Sequence, residues 1–373
     1  MPARPIRVLI VDDSALVRRI LTDSLAHDPE IEVVGVASDP YMARDKILSL
    51  NPDVLTLDIE MPRMDGLSFL RLIMKHRPMP VIIISSLTAA GSSKAVEALH
   101  SGAVDVMAKP AGSYSAHADG HELASKIKAA FHARVGGSSP TSNLQRTGDT
   151  ALVHRPPAPP SLYNNFTKRI APSSRSFSPE QVILIGASTG GTEALKTILT
   201  GLSSSVPGIC IVQHIPAYFS RAFADRLNAL CQMEVREAQR GDIVRPGLAL
   251  IAPGGFHMLL RRGASGYSIE LSEGPKVHHQ RPAVDVLFDS ACKIGAAASS
   301  LALLLTGMGA DGAEGLLHLK EAGASTVAQD EESCVVFGMP REAIKRGAAQ
   351  RVLPLDQMAG FIESYAGSVA LRA

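Results

Sequence analysis

Val182-Ile183-Leu184-Ile185-Gly186-Ala187-Ser188-Thr189-Gly190-Gly191 is the stretch whose reading decides the fold. Its apolar run reads as a strand buried on both faces, as in a parallel sheet. The run ends in a small-residue turn with one hydroxyl at its centre, and a helix can start at Thr192. Strand, tight turn and helix in that order put Ser188 on an exposed bend beside backbone N–H groups and a helix N-terminus. Such a bend suits a nucleophilic serine, because the N–H groups hold the oxyanion that its attack creates. It would also suit a phosphate-binding turn.

The same alternation continues outward. Downstream, strands are expected at Ile209–Val212, Leu248–Ile251, Ser300–Leu305 and Ser325–Val327, with helices at Thr192–Leu202, Ser220–Cys231, Ala283–Ala291 and Asp311–Glu321. His257–Arg262 and Tyr267–Leu271 flank a Gly-Ala-Ser-Gly turn and read as a hairpin. Residues 179–373 are therefore read as a doubly wound, mostly parallel α/β sheet with an antiparallel hairpin. Upstream, strands at Ile6–Val11, Ile31–Ala37, Val54–Leu57, Val81–Ile84 and Val104–Met107 alternate with amphipathic segments at Ala15–Ala26, Tyr41–Leu50, Leu67–Lys75, Ser92–His100 and Glu122–His132. Residues 1–132 thus form a five-stranded parallel sheet with helices on both faces. Between the modules, residues 133–178 carry Gly136-Gly137-Ser138-Ser139-Pro140 and Pro156-Pro157-Ala158-Pro159-Pro160. They have little to bury and read as a flexible Pro/Ser-rich linker.

Composition narrows the function classes. At 373 residues the chain is too long for one ordinary core. A formal net charge of +1 gives no bulk field for nucleic acid or an anionic membrane. Aromatics are 4% with no Trp, which argues against a base-stacking surface. The four cysteines form no C-x-x-C pair and read as buried apolar residues in a reducing compartment. No signal-peptide pattern is expected, nor any run near the roughly 20 apolar residues of a spanning helix. A cytoplasmic protein without membrane insertion is the expectation.

In open parallel sheets, ligands bind beyond the carboxyl ends of the strands. In the first module those ends carry Asp12-Asp13, Asp58, Ser85 and Lys109-Pro110. Converging carboxylates repel unless a hard cation such as Mg²⁺ neutralises them. A lysine and a hydroxyl facing them can hold a phosphoryl group transferred to one carboxylate. This pattern resembles response-regulator receiver domains, over about residues 4–132. The resemblance implies a flavodoxin-like fold, Asp12 and Asp13 as the metal-binding pair and Asp58 as phospho-acceptor. It also implies the main-chain carbonyl of Glu60 as a further metal ligand, and Ser85 and Lys109 as readers of the acyl phosphate. The position three before Lys109, usually aromatic in that family, is Val106 here.

In the second module Gly186–Gly190 satisfies G-x-S-x-G, and a serine needs a base and an orienting carboxylate. His214 stands at the carboxyl end of the strand after the one bearing Ser188. Among Asp225, Asp242, Asp285, Asp289, Asp311 and Asp330, Asp311 follows a strand through the glycine-rich loop Thr306–Ala310 and opens onto the same sheet edge. Asp285 and Asp289, four apart, read instead as one polar helix face. Met308 is an oxyanion-hole candidate through its backbone N–H, an interaction typically worth about 3 kcal/mol. Thr189 can hydrogen-bond near Ser188 or His214, or act only as a helix N-terminal hydroxyl. Arg281, with Pro282, either lines a substrate path or starts the next helix. Adjacent His278 and His279 project differently and lack companions at zinc-ligand spacing, so no metal is expected there.

Gly186–Gly191, Gln213-His214-Ile215-Pro216, His279–Phe288, Thr306–Ala313 and Phe337-Gly338-Met339-Pro340 are similar to the CheB family, the chemotaxis protein-glutamate methylesterases and protein-glutamine glutaminases. The resemblance spans about residues 181–350. It implies Ser188, His214 and Asp311 as nucleophile, general base and orienting acid, with no cofactor for the ester chemistry. It implies chemotaxis receptors as substrate and a histidine kinase as phosphodonor. Two other readings compete. A nucleotide-binding output is disfavoured by the lack of G-K-[ST] and of a downstream acidic ribose ligand. A receiver-regulated, non-catalytic adaptor for chemoreceptors is separated from an enzyme by a serine-directed probe.

Overall fold

The computed structural model describes residues 4–86, 88–110, 116–133, 135, 181–263 and 266–369. The expected linker lies almost wholly outside the described residues. In the first module β1 (Ile6–Val11), α1 (Ala15–Leu25), β2 (Ile31–Ala37), α2 (Pro40–Leu50), β3 (Val54–Asp58), α3 (Gly66–His76), β4 (Val81–Ser85), α4 (Ala89–His100), β5 (Asp105–Ala108) and α5 (Ala116–Phe131) succeed one another. The strands pair in parallel in the order β2-β1-β3-β4-β5. The apolar runs form β3 and β4, in which every residue is buried. Side-chain caps fix where helices begin: Ser14 accepts from the Val17 N–H, Asp39 from Tyr41 and Met42, and Asp65 from Ser68.

The second module contains β6 (Val182–Ala187), α6 (Gly191–Thr200), β7 (Gly208–Gln213), α7 (Phe219–Asn228), β8 (Glu234–Glu237), β9 (Leu248–Ile251), β10 (His257–Gly263), β11 (Gly266–Ser272), α8 (Val284–Lys293), β12 (Ser300–Leu304), α9 (Ala313–Glu321), β13 (Ser325–Gln329), α10 (Met339–Lys345), β14 (Arg351–Leu353) and α11 (Leu355–Val369). Seven strands form one parallel sheet in the order β14-β13-β12-β6-β7-β9-β8. The expected hairpin, β10 with β11, is a separate antiparallel pair. Strand alternation sorts the core into two layers. Ile183, Ile185, Ile209 and Ile211 pack with buried residues of α6 and α7, whereas Leu184, Cys210, Leu250 and Leu304 pack with those of α8 and α9. Each fully buried aliphatic side chain contributes about 1.5–3 kcal/mol.

None of the four cysteines is in a disulfide. Burial pushes the Cys210 thiol up to about 12, which leaves it inert. No helix among the described residues is long and apolar enough to cross a membrane. The two sheets are in contact: α4 packs against α6 and α7, and His100 of α4 lies 3.5 Å from Glu193 of α6.

Candidate functional site

β6, β7 and β12 are neighbours in the middle of the larger sheet, and their carboxyl ends deliver Ser188, His214 and Asp311. Backbone bonds extend the ladder past the strands. The Ser188 N–H donates to the Thr306 carbonyl at 3.0 Å, and the His214 N–H donates to the Ala187 carbonyl at 3.0 Å. The turn after Ser188 closes through the Gly191 N–H on the Ser188 carbonyl, with Gly190 at φ +79°. A side chain at Gly190 would be both strained and within 3 Å of Val335.

His214 Nδ1 lies 3.1 Å from Ser188 Oγ, and His214 Nε2 lies 2.7 Å from Asp311 Oδ2. An ionised Asp311 accepts from Nε2–H, so the lone pair of Nδ1 faces the serine hydroxyl. Asp311 is almost fully buried and caps α8 from outside that helix. Its Oδ2 accepts from the Val284 N–H at 2.8 Å and its Oδ1 from the Asp285 N–H at 3.0 Å. Burial opposes its ionisation, but His214 and these two N–H groups outweigh that and hold its carboxyl below the usual range.

A cavity of about 510 Å³ opens over Ser188 and His214 and is lined also by Met308, His278 and the α5 residues His121 and Lys126. Met308 lies in the Thr306–Ala310 loop with its side chain exposed at the cavity. Arg281 is elsewhere: its guanidinium donates to the carbonyls of Glu273 and Gly274, at 2.8 and 3.0 Å, and holds that loop. The Thr189 hydroxyl reaches neither Ser188 nor His214. It donates to Asp105 Oδ2, from β5 of the other module, at 2.6 Å. Asp105 Oδ1 is in turn 2.8 Å from Lys126 Nζ on α5.

Three site residues escape the sequence reading. Asp285 does not belong to a polar surface face: it is 7% exposed and lies at the first turn of α8, beside Asp311. The helical spacing that links it to Asp289 is real, but the helix starts one residue before it, against the site. Gln213 donates through Nε2 to the Ser188 carbonyl at 2.9 Å and to the His214 carbonyl at 3.2 Å, tying nucleophile and base together. Its place next to His214 at a strand end is the signal that could have found it. Asp105 has no such signal, because its partner is 84 residues away.

In the first module Asp12, Asp13 and Asp58 bring carboxylate oxygens within 4.8 Å of one another, so the cluster can hold a metal ion. Lys109 Nζ lies 2.7 Å from Asp58 Oδ2 and 3.1 Å from Asp12 Oδ2. Burial, with the charge of Asp12, pushes the Asp58 carboxyl up to about 6 despite Lys109. One lysine therefore does not neutralise the cluster, which is the chemistry a bound cation completes. Ser85 is buried at the end of β4, next to β3, with its hydroxyl on the Gly91 carbonyl at 3.2 Å. Glu60 stands two residues after Asp58, and its N–H donates to Asp58 Oδ1 at 3.1 Å.

Comparison with known proteins agrees with this architecture. A family model described as response regulator receiver domain matches residues 8–129, and one described as CheB methylesterase matches residues 183–362. The chain is a response regulator with an enzymatic output. A protein-glutamate methylesterase/protein-glutamine glutaminase of Syntrophus aciditrophicus is 52% identical over 95% of this chain and 97% of its own. One from Geobacter metallireducens is 48% identical over the whole of both chains. Another, from Anaeromyxobacter dehalogenans, is 48% identical over 98% of this chain and 96% of its own. The chain belongs to the CheB family, the receiver-controlled methylesterases.

Proposed function

We propose that the chain hydrolyses γ-methyl esters of glutamate side chains on chemotaxis receptors, and the side-chain amide of receptor glutamines, with Ser188, His214 and Asp311 as the catalytic group. The observation that carries this reading is the pair of contacts made by His214, 3.1 Å to Ser188 and 2.7 Å to Asp311. Ser188 Oγ attacks the ester carbonyl while its proton passes to His214 Nδ1. The tetrahedral oxyanion is met by the N–H groups of Met308 and Thr189. His214 then gives the proton to the leaving methanol, or to ammonia from an amide, and an acyl-serine remains. Water, deprotonated by His214, attacks that ester, and collapse returns the proton to Ser188 and frees the glutamate. Asp311 holds the imidazole tautomer throughout.

Control runs through the first module. A histidine kinase supplies the phosphoryl group to Asp58, with Lys109 and Ser85 positioned against it. Asp12, Asp13, Asp58 and the Glu60 carbonyl would hold Mg²⁺, which would supply the positive charge that offsets these anions. In the unphosphorylated chain α5 walls the cavity over the serine and, through the Asp105–Thr189 bond beside it, restricts the approach of a receptor. Methanol release from methylated receptor, with and without an acyl-phosphate donor and Mg²⁺, tests the reading. A fluorophosphonate should label the wild type and not Ser188→Ala, and labelling that persists in that variant overturns it.

A further inference from the structure

The site contains a second histidine–carboxylate pair alongside the first. His278 Nε2 lies 3.0 Å from Asp285 Oδ2, and Asp285 Oδ1 accepts from the Gly315 N–H of α9 at 2.7 Å. The backbone N–H of Asp285 is one of the two that hold Asp311. Atoms of His278, Asp285 and Asp311 all lie within 4.8 Å of one another. Each carboxylate already has hydrogen-bond donors from the protein, so the three make a network rather than a set of open metal ligands. His278 is half exposed and lines the cavity over Ser188, whereas Asp285 and Asp311 are buried.

Two adjacent buried carboxylates compete to be ionised. Asp311 has His214 and two helix N–H groups, which lower it, whereas burial and the charge of Asp311 push Asp285 up, so Asp285 takes its charge at higher pH than Asp311. Once ionised, Asp285 adds negative charge next to the Asp311–His214 pair, and its N–H orients Asp311. The other groups facing Asp285 are few. From β10, His257 Nδ1 lies 3.2 Å from the Ala283 N–H, and its Nε2 lies 2.9 Å from the Pro275 carbonyl. From α9 come Glu314 in the first turn and His318, which pairs with Asp289. Lys276 and His279 lie in the loop that bears His278, and His279 stacks near His121 of α5, with ring centroids 5.3 Å apart. Lys126 of α5 lines the same cavity and is paired with Asp105.

We infer that Asp285 is a positioning residue for the base, and that with His278 as its hydrogen-bond partner it sets the pH at which His214 becomes competent. The inference rests on the triad reading given above. The test is the rate of Ser188 labelling by a fluorophosphonate in the full chain, followed against pH with acyl phosphate and Mg²⁺ present. Asp285→Asn keeps the acceptor for Gly315 and the N–H to Asp311 but loses the charge. Its acid limb should move to lower pH by about half to one unit relative to wild type. Asp285→Glu, which restores the charge, should return the limb toward the wild-type position. The first module is the same in all three proteins, so its own titration cancels. A uniform fall in rate with the limb unmoved makes Asp285 purely structural and overturns the inference alone. A wild type that is not labelled overturns the triad reading and the inference with it.

Discussion

The hydroxyl of Thr189, the residue after the candidate nucleophile, donates to the carboxylate of Asp105 at 2.6 Å across the boundary between the two sheets. Both groups are buried, and Lys126 holds the other oxygen of the carboxylate. The bond fixes the residue whose N–H is proposed to meet the oxyanion, so closure and catalysis share one residue. Removing the carboxylate leaves a buried lysine without its partner at the interface, which weakens the closed state further. Asp105→Ala should therefore raise methanol release by the unphosphorylated chain, by about 5- to 30-fold for a loss of one or two kcal/mol. The phosphorylated rate should change little. A basal rate equal to that of wild type would show that this bond does not hold the site closed.

The part played by Met308 is assigned to its backbone. Met308→Ala keeps the N–H, and kcat should stay within about threefold of wild type. Met308→Pro removes the donor and should lower kcat by about 10²–10³-fold. Equal losses in the two variants, measured on a small ester substrate so that receptor contacts do not enter, would shift the role to the side chain.

Asp58 makes the first module sensitive to pH and metal. Its carboxyl is raised from its ordinary value to about 6, burial being the main cause. A raised acid favours the folded state while it is neutral and disfavours it once ionised, so stability falls as pH rises from about 4 through 6. The penalty above pH 6 is of order 2–3 kcal/mol without metal. Asp58→Asn removes the charge, although Lys109 then keeps only Asp12 as a partner. At pH 7 in chelator it should unfold at higher denaturant than wild type. Mg²⁺ should stabilise the wild type more than the variant. The same midpoint for both proteins in chelator would mean that Asp58 is not strained by burial.

Much of the site was legible because its chemistry sits at the ends of buried strands. β6, β7 and β12 are continuous apolar runs, and a parallel sheet gathers the residues just past each run at one edge. That brings Ser188, His214 and Asp311 into view without any contact map. The edge strands were not legible. β8 is Glu234-Val235-Arg236-Glu237 and β14 is three residues long, so neither shows an apolar run, and both are defined by the neighbour they pair with. α11 did carry a signal, with Met358, Ile362 and Ala366 buried at a spacing of four. Asp285 was misread because helical spacing reports a shared face but not what covers that face. Asp105 with Thr189 was beyond reach, since no local pattern encodes a bond between two separately folded sheets.

Close packing in the loop that carries Met308 gives the last test. A Cβ on Gly307 would stand 2.6 Å from the Cβ of Ser188 and overlap the sulfur of Met339. Neither neighbour yields easily, because Ser188 is tied to the Thr306 carbonyl and to Gln213, and Met339 is fully buried. Gly307→Ala should lower stability by about 1–3 kcal/mol. It should also lower kcat by about 10²-fold, since a shift of one ångström in a reacting group is enough for that. Gly347→Ala provides the comparison. Gly347 has positive φ, at +67°, but an added Cβ there meets nothing within 4 Å and lies outside the site. That variant should lose about 1–2 kcal/mol to backbone strain and keep its kcat. If the two variants lost activity in proportion to lost stability alone, the contact between Gly307 and Ser188 would have no catalytic consequence.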